Sequence, residues 1–285
     1  MSSEPEIIPP PEEMQRRLSA LKREGKTIAV APTMGALHAG HRALIVKGRS
    51  LADVLVVTIF VNPAQFAPHE DLARYPRTFE ADLRMCREEN VDFIFYPTDE
   101  MMYPPGYSTY VEVHGLTELL CGRSRPTFFR GVTTVVAKLF LATQPDFAVF
   151  GWKDAQQLLV VRRMTRDLNF PVQIVGVDTV REPDGLALSS RNKYLSPEER
   201  AEAVVLSRAL KSARRRFEEE GVRDAAILRQ GIIDQIEKES GGRIDYVEVA
   251  SMDTVQPIEE VEPGNTLIAL AAWWGETRLI DNVRL

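Results

Sequence analysis

Thr27-Ile28-Ala29-Val30-Ala31-Pro32-Thr33-Met34-Gly35-Ala36-Leu37-His38-Ala39-Gly40-His41 opens on a short apolar run without alternation, passes through a glycine-bearing turn, and leads into a stretch of helical period at about 41 to 51. A run of that kind suits a strand covered on both faces. The same pattern returns at Val54 to Val61, Val91 to Phe95, Asp146 to Phe150 and Val172 to Val177. Helical stretches at about 41 to 51, 78 to 89, 131 to 143 and 155 to 168 lie between and around these runs. Strand and helix in alternation imply right-handed crossovers and a parallel sheet. Residues 26 to about 178 therefore read as a doubly wound α/β domain.

Outward from this core, residues 1 to 10 carry three prolines and several acids and serines, and are expected to form a loose arm. Met14, Leu18 and Leu21 recur at helical spacing, with Gly25 as a stop. On the other side, Ser196-Pro197-Glu198-Glu199 opens a helix with a capping box, expected to run to about Glu219. A second helix is expected at about 223 to 239. Strand-like runs follow at Tyr246–Ala250, Thr266–Ala272 and Thr277–Ile280. The expected division is a Rossmann-like domain over 1–179 and a smaller α+β domain over 180–285.

The 285 residues carry 35 Lys plus Arg and 41 Asp plus Glu, a formal net charge of −6. This balance argues against nucleic-acid binding by bulk electrostatics, while leaving room for a local phosphate site. The longest apolar stretch, Val54 to Val61, is far short of the ~20 residues of a membrane span. The first residues are acidic and lack an apolar signal core, so the expected location is the cytoplasm. Cys86 and Cys121 are too few and too far apart for a zinc site or disulfide framework.

In an open parallel sheet, ligands bind beyond the carboxyl ends of the strands. After the first strand, His38 and His41 stand beside Gly35 and Gly40 where a helix begins, a place for an anion. The glycine spacing is that of a Walker A loop, but His41 stands where lysine is required, and no G-x-G-x-x-G occurs. After the second strand, Asn62-Pro63-Ala64-Gln65-Phe66 reads equally as a polar substrate site and as an Asn-Pro turn. After the fourth, Gly151-Trp152-Lys153-Asp154-Ala155-Gln156-Gln157 offers Lys153 to a phosphate. There Asp154 and Gln157 are also suited to capping a helix, and the Asp154 carboxylate to approaching a Mg²⁺ water. Asp184-Gly185-Leu186-Ala187-Leu188-Ser189-Ser190-Arg191-Asn192 reads as a phosphate clamp or as a solvated linker. Arg123, Arg125 and Arg130 crowd one further segment. No G-x-S-x-G elbow, H-E-x-x-H helix or C-x-x-C pair is present, which disfavours serine hydrolase, zincin and thiol-redox chemistry.

Pro32 to His41, Phe60 to Phe66, Phe150 to Gln157 and Asp184 to Asn192 together resemble the pantothenate synthetase (pantoate–β-alanine ligase) family, in order and over about 26 to 195. The resemblance implies a ligase of pantothenate biosynthesis in the nucleotidyltransferase superfamily. It would join (R)-pantoate to β-alanine through a pantoyl adenylate, with AMP and pyrophosphate released from ATP. It implies that Met34, Gly35, Ala36, Leu37, His38, Ala39, Gly40 and His41 line the ATP site, with His41 the proton-donating catalytic residue. Gly151, Trp152, Lys153, Asp154, Val180, Leu188, Ser189, Ser190 and Arg191 are implied as further ATP contacts. Gln65 and Gln157 are implied for pantoate, and Gln65 also for β-alanine. The catalytic set is His41, His38, Lys153 and Arg191, with no protein metal site. Mg²⁺ is implied with ATP, as is a cytoplasmic homodimer without nucleic-acid or membrane partners.

Two positions depart from the family. Thr127-Phe128 stand where Gly-His is usual, and Trp152 where the family is often polar or acidic; its ring either covers a nucleotide or packs. Two rival readings are a nucleotidyltransferase acting on another small molecule and a non-catalytic nucleotide-binding module. The joint presence of His38, His41, Lys153 and Arg191 speaks against the second.

Overall fold

The computed structural model describes residues 4–68 and 70–285. Its strands are β1 Glu6–Ile8, β2 Ile28–Thr33, β3 Val54–Ile59, β4 Phe93–Phe95, β5 Phe147–Gly151, β6 Gln173–Val177, β7 Arg243–Ser251, β8 Thr266–Trp274 and β9 Thr277–Arg284. Its helices are α1 Pro11–Arg23, α2 Ala39–Arg49, α3 Phe79–Glu88, α4 Asp99–Met102, α5 Cys121–Ser124, α6 Phe128–Thr143, α7 Ala155–Asp167, α8 Pro197–Glu202, α9 Val205–Glu218 and α10 Ala225–Glu239. The chain forms two compact units. One holds the chain up to His114 with Arg125–Gly151 and Val160–Val177; the other holds Gly115–Ser124, Trp152–Leu159 and Asp178–Leu285. The second unit thus takes in two excursions that a single cut at 179/180 does not separate.

In the first unit, six parallel strands run in the order β1-β4-β3-β2-β5-β6. β3 is buried at every position, as its unbroken apolar run requires. Ala29, Ala31, Leu55, Val57 and Ile94 pack with Leu44 and Ile45 of α2 and Cys86 of α3. On β2 their neighbours Ile28 and Val30 are equally buried, and by strand alternation face the other way. There α6 packs against β2 and α1. Helices on both sheet faces make this the doubly wound fold expected. From β2 the chain steps outward through β3 and β4, then restarts at β5 on β2's other side. The switch point lies between β2 and β5, whose carboxyl ends are Thr33 and Gly151.

Part of the expected arm is ordered. Glu6, Ile7 and Ile8 pair in register with Phe93, Ile94 and Phe95, and Ile8 is buried. Three residues between prolines are too short for periodicity to reveal, and the parallel partner is far away in sequence. Residues 1–3 of that arm lie outside the described residues.

In the second unit, β7, β8 and β9 form an antiparallel sheet covered by α9 and α10. Leu206, Leu210, Leu228, Ile232 and Ile236 pack on Val247, Ile268, Leu270 and Leu279. The capping box at the start of α8 is present: Glu199 N donates to Ser196 Oγ at 3.2 Å, and Ser196 N to Glu199 Oε2 at 2.9 Å. The helix does not run unbroken to Glu219. Ala203 and Val204 have ψ of −20° and −21°, and Leu206 N donates to Ala203 O. The turn tightens toward 3₁₀ geometry and lets Ala203 and Val204 both enter the core.

Among the described residues no helix is long and apolar enough to cross a membrane. Cys86 and Cys121 are buried free thiols. Burial pushes the Cys86 thiol up to about 12, with the Asp82 carboxylate adding to the shift. Because the thiolate is the reactive form, Cys86 in the native protein should resist alkylation at pH 8 and react once denaturant is added. Peptide mapping that finds Cys86 modified rapidly in the native state would contradict this.

Candidate functional site

β2 ends where Thr33 Oγ donates to Thr58 O at 2.5 Å and accepts from Gly35 N at 3.2 Å. Gly35 and Ala36 then take φ of +79° and +51°. The left-handed region is open to glycine and costs alanine about 1 kcal/mol or more. This double reversal carries the chain from the end of β2 into α2. The turn is held by Asp82 of α3, whose carboxylate accepts from Ala36 N at 3.0 Å and Leu37 N at 2.8 Å.

His38 caps α2. Its Nδ1 accepts from Gly40 N at 3.1 Å, while His41 Nδ1 accepts from His38 N at 3.2 Å. A ring nitrogen that accepts a hydrogen bond carries a lone pair, so the neutral ring holds its proton on Nε2. Each imidazole is thereby set as an Nε2–H donor, with ring centroids 4.1 Å apart. The N–H groups of Gly35, His38 and Gly40 are taken up within the β2-to-α2 segment, and those of Ala36 and Leu37 by the Asp82 carboxylate of α3. The two imidazoles stand beside these engaged N–H groups at the head of α2.

Gln65 closes the 3₁₀ turn Pro63–Gln65 after β3 and is buried. Its Nε2 donates to Met34 Sδ at 2.9 Å, which joins it to the β2 loop. Asn62 settles as the turn former. Its Oδ1 accepts from Ala64 N at 3.3 Å and from Tyr103 OH at 2.7 Å, and its Nδ2 donates to Gln65 Oε1 and Gly131 O, each at 3.1 Å. Gly131 of α6 lies against this turn: a Cβ there would meet Ala64 O at 2.2 Å and Gln65 Cα at 2.6 Å. At the first departure, the Phe128 ring carries the Arg125 guanidinium at 3.8 Å. Arg125 in turn donates to Glu70 at 2.5 and 2.7 Å and to Gln65 O at 3.2 Å.

In the second unit, Trp152–Asp154 form the 3₁₀ turn that precedes α7. Asn282 Nδ2 donates to Trp152 O at 2.8 Å and Lys153 O at 3.0 Å. The Trp152 ring is buried, with the Arg284 guanidinium 4.2 Å from its centroid; of the two roles open to it, the ring packs. Lys153 Nζ lies 4.0 Å from Asp154 Oδ2, on the half-exposed Asp154 side chain. Gln156 is the buried neighbour of half-buried Gln157, and its amide pairs with Cys121 N, Leu116 O and Leu119 O at 3.0, 2.8 and 2.7 Å.

The Asp184-to-Asn192 motif is built, and is not a free linker. Arg181 bridges Ala187, and Leu188 N donates to Val180 O. Arg200 donates to Asp184 and, together with the Leu186 N–H, holds that carboxyl below its usual range. Ser189 Oγ accepts from Arg191 N at 3.2 Å and caps the 3₁₀ turn Ser190–Tyr194. Ser190 and Arg191 are half-buried.

The structure therefore gathers the expected residues into two groups. In the first unit Gln65 pairs with Met34, and His38 with His41 further along the same loop. In the second, the Trp152–Asp154 turn and the Val180–Arg191 hairpin are tied to adjacent residues of β9. Asn282 holds the former, and the buried Asp281 carboxylate holds the latter through a two-pronged pair with Arg181 at 2.6 and 2.9 Å. Asp82, Asp281 and Asn282 were not singled out from sequence. The signals they offered were an acid on the apolar stripe Phe79, Leu83, Cys86 of α3 and a polar pair inside a strand run.

The family model described as Pantoate-beta-alanine ligase matches residues 6–284. The chain is 53% identical to the pantothenate synthetase of Moorella thermoacetica over 268 residues, 94% of each chain. A crystal structure of pantothenate synthetase from Thermus thermophilus matches with a TM-score of 0.91 and 46% identity, covering 98% of this chain and 99% of that one. A pantoate-beta-alanine ligase from Francisella tularensis, complexed with beta-gamma ATP and beta-alanine, matches with a TM-score of 0.80 and 32% identity, covering 98% and 97%.

Proposed function

The chain belongs to the pantoate-beta-alanine ligase family, and we propose on that premise that it condenses (R)-pantoate with β-alanine at the expense of ATP. A pantoate carboxylate oxygen bonds to the α-phosphorus of ATP as the bond to the bridging oxygen breaks and pyrophosphate leaves. The β-alanine amine then bonds to the acyl carbon of the pantoyl adenylate. The acyl C–O bond breaks, AMP leaves and the amine gives up a proton. No protein nucleophile is needed, so the protein's task is alignment and charge stabilisation.

The observation that carries this reading is the pair of Nδ1-locked imidazoles beside the sheet's switch point. His41 donates its Nε2–H to phosphate oxygen as charge develops, assisted by His38, Lys153 and Arg191. Met34 to His41, Gly151 to Asp154, Val180 and Leu188 to Arg191 contact ATP, with Trp152 contributing main chain. Gln65 and Gln157 hold pantoate, and Gln65 also places β-alanine. Mg²⁺ enters with the nucleotide as part of the substrate. It binds readily through substrate phosphates and water. The family resemblance further supports a homodimer working in the cytoplasm.

The test is product analysis. With ATP, Mg²⁺, pantoate and β-alanine, mass spectrometry should find pantothenate and AMP formed one to one. AMP formation that ignores pantoate, or a product built on another acid, would refute the reading. Gln65→Ala should lower kcat/KM for pantoate by about tenfold or more, the consequence of losing a hydrogen bond to a charged group worth about 1.5–3 kcal/mol. An unaltered pantoate dependence in that variant would remove Gln65 from the substrate site.

A further inference from the structure

We infer that Asp82 is a positioning residue for adenylation, acting through the loop that aims His38 and His41; the inference rests on the reading of that loop as the ATP site. Asp82 is 1% exposed and lies on the core-facing stripe of α3 with Phe79, Leu83 and Cys86, where an apolar residue is the ordinary choice. A buried carboxylate without partners would be costly. Its partners are the N–H groups of Ala36 and Leu37 and the Thr78 hydroxyl, at 3.0, 2.8 and 3.1 Å.

These bonds fall where the backbone most needs them. Ala36 stands at φ +51°, directly after Gly35 at φ +79°. Left to itself, an alanine relaxes out of that region. The carboxylate grips the N–H of Ala36 and that of the following residue, so it fixes the reversal between β2 and α2. His38 is the next residue. Its ring, and through its N–H the ring of His41, are oriented from that point. A loop loosened here would misaim both Nε2–H donors, and a misplacement of about 1 Å can cost about a hundredfold in rate. Asp82 would not touch substrate, and its effect should appear in the rate of phosphate chemistry rather than in pantoate affinity.

Asp82→Asn keeps the shape and one acceptor but replaces the other with a donor facing an N–H group. Thr78→Val leaves the carboxylate and removes one of its anchors, a milder change suited to the case in which Asp82→Asn does not fold. The measurement is pantoate-dependent ATP–pyrophosphate exchange at saturating substrates, together with the KM for pantoate and the melting temperature. The expected result is a fall in exchange kcat of about 10- to 100-fold in Asp82→Asn and about 3-fold in Thr78→Val. The pantoate KM should stay within about twofold of the parent. Folded variants that exchange at the parent rate would overturn the inference, as would a loss carried by the pantoate KM. Absence of exchange in the unaltered protein would remove the adenylation reading itself, and is distinguishable because it needs no variant.

Discussion

His41→Ala should lower the adenylation rate by about 10²- to 10³-fold, the usual range for one preorganised donor at developing negative charge. The expectation follows from how the ring is fixed. His41 Nδ1 accepts the N–H of His38 at 3.2 Å, so the proton sits on Nε2 and the ring arrives at the reaction already oriented. Alanine removes the donor and also leaves the His38 N–H without that acceptor. His41→Asn keeps a polar side chain but lacks the imidazole geometry, and should recover little of the loss. Single-turnover measurement of pyrophosphate release from ATP and pantoate reads this step directly. A release rate within threefold of the parent would show that His41 does not act on the phosphate.

Gly131→Ala should damage the pantoate side of the site more than its single carbon suggests. The added Cβ would lie 2.2 Å from Ala64 O and 2.6 Å from Gln65 Cα. Both are backbone atoms, which cannot rotate away. Either α6 or the Pro63–Gln65 turn must move, and overpacking of this kind costs about 1–3 kcal/mol in stability. The turn is the lighter element, though Asn62 ties it to Gly131 O itself. Its displacement moves Gln65 relative to Met34 and should reduce kcat/KM for pantoate by about a hundredfold. Steady-state kinetics with pantoate varied, alongside thermal melting, checks both halves. Parent-like kinetics would mean that the turn and α6 accommodate the methyl group.

Much of the fold could be read from β2 and β3, because a strand covered on both faces leaves an unbroken apolar run. β1 could not be read, since three residues between prolines carry no period and gain their partner only in the folded sheet. The break after α8 was equally hidden, for Ala203 and Val204 are ordinary helix residues and the tight turn there is imposed by the core.

At the candidate site, the strand-turn-helix pattern pointed to His38 and His41 and the family resemblance to Gln65, while the supports beneath them stayed hidden. An acid such as Asp82 on a helix is ordinarily solvated, and only the folded loop shows two N–H groups converging on it. Asp281 and Asn282 hold residues 100 to 130 positions away in sequence, a relation that spacing cannot display. Asn62 and Gln65 looked equivalent as side chains. The structure parts them by fixing Asn62 among Ala64 N, Gln65 Oε1, Tyr103 OH and Gly131 O, so that it ties the turn to its surroundings, while Gln65 Nε2 reaches Met34 of the β2 loop.

The central claim is that ATP is opened by pantoate before β-alanine takes part. Pantoate-dependent exchange of labelled pyrophosphate into ATP, with Mg²⁺ present and β-alanine absent, tests it most directly. Exchange that requires pantoate, followed by stoichiometric AMP release when β-alanine is added, is the predicted result. No exchange, with the complete mixture nonetheless forming pantothenate, would contradict a reversible adenylate and place the amine in the first step.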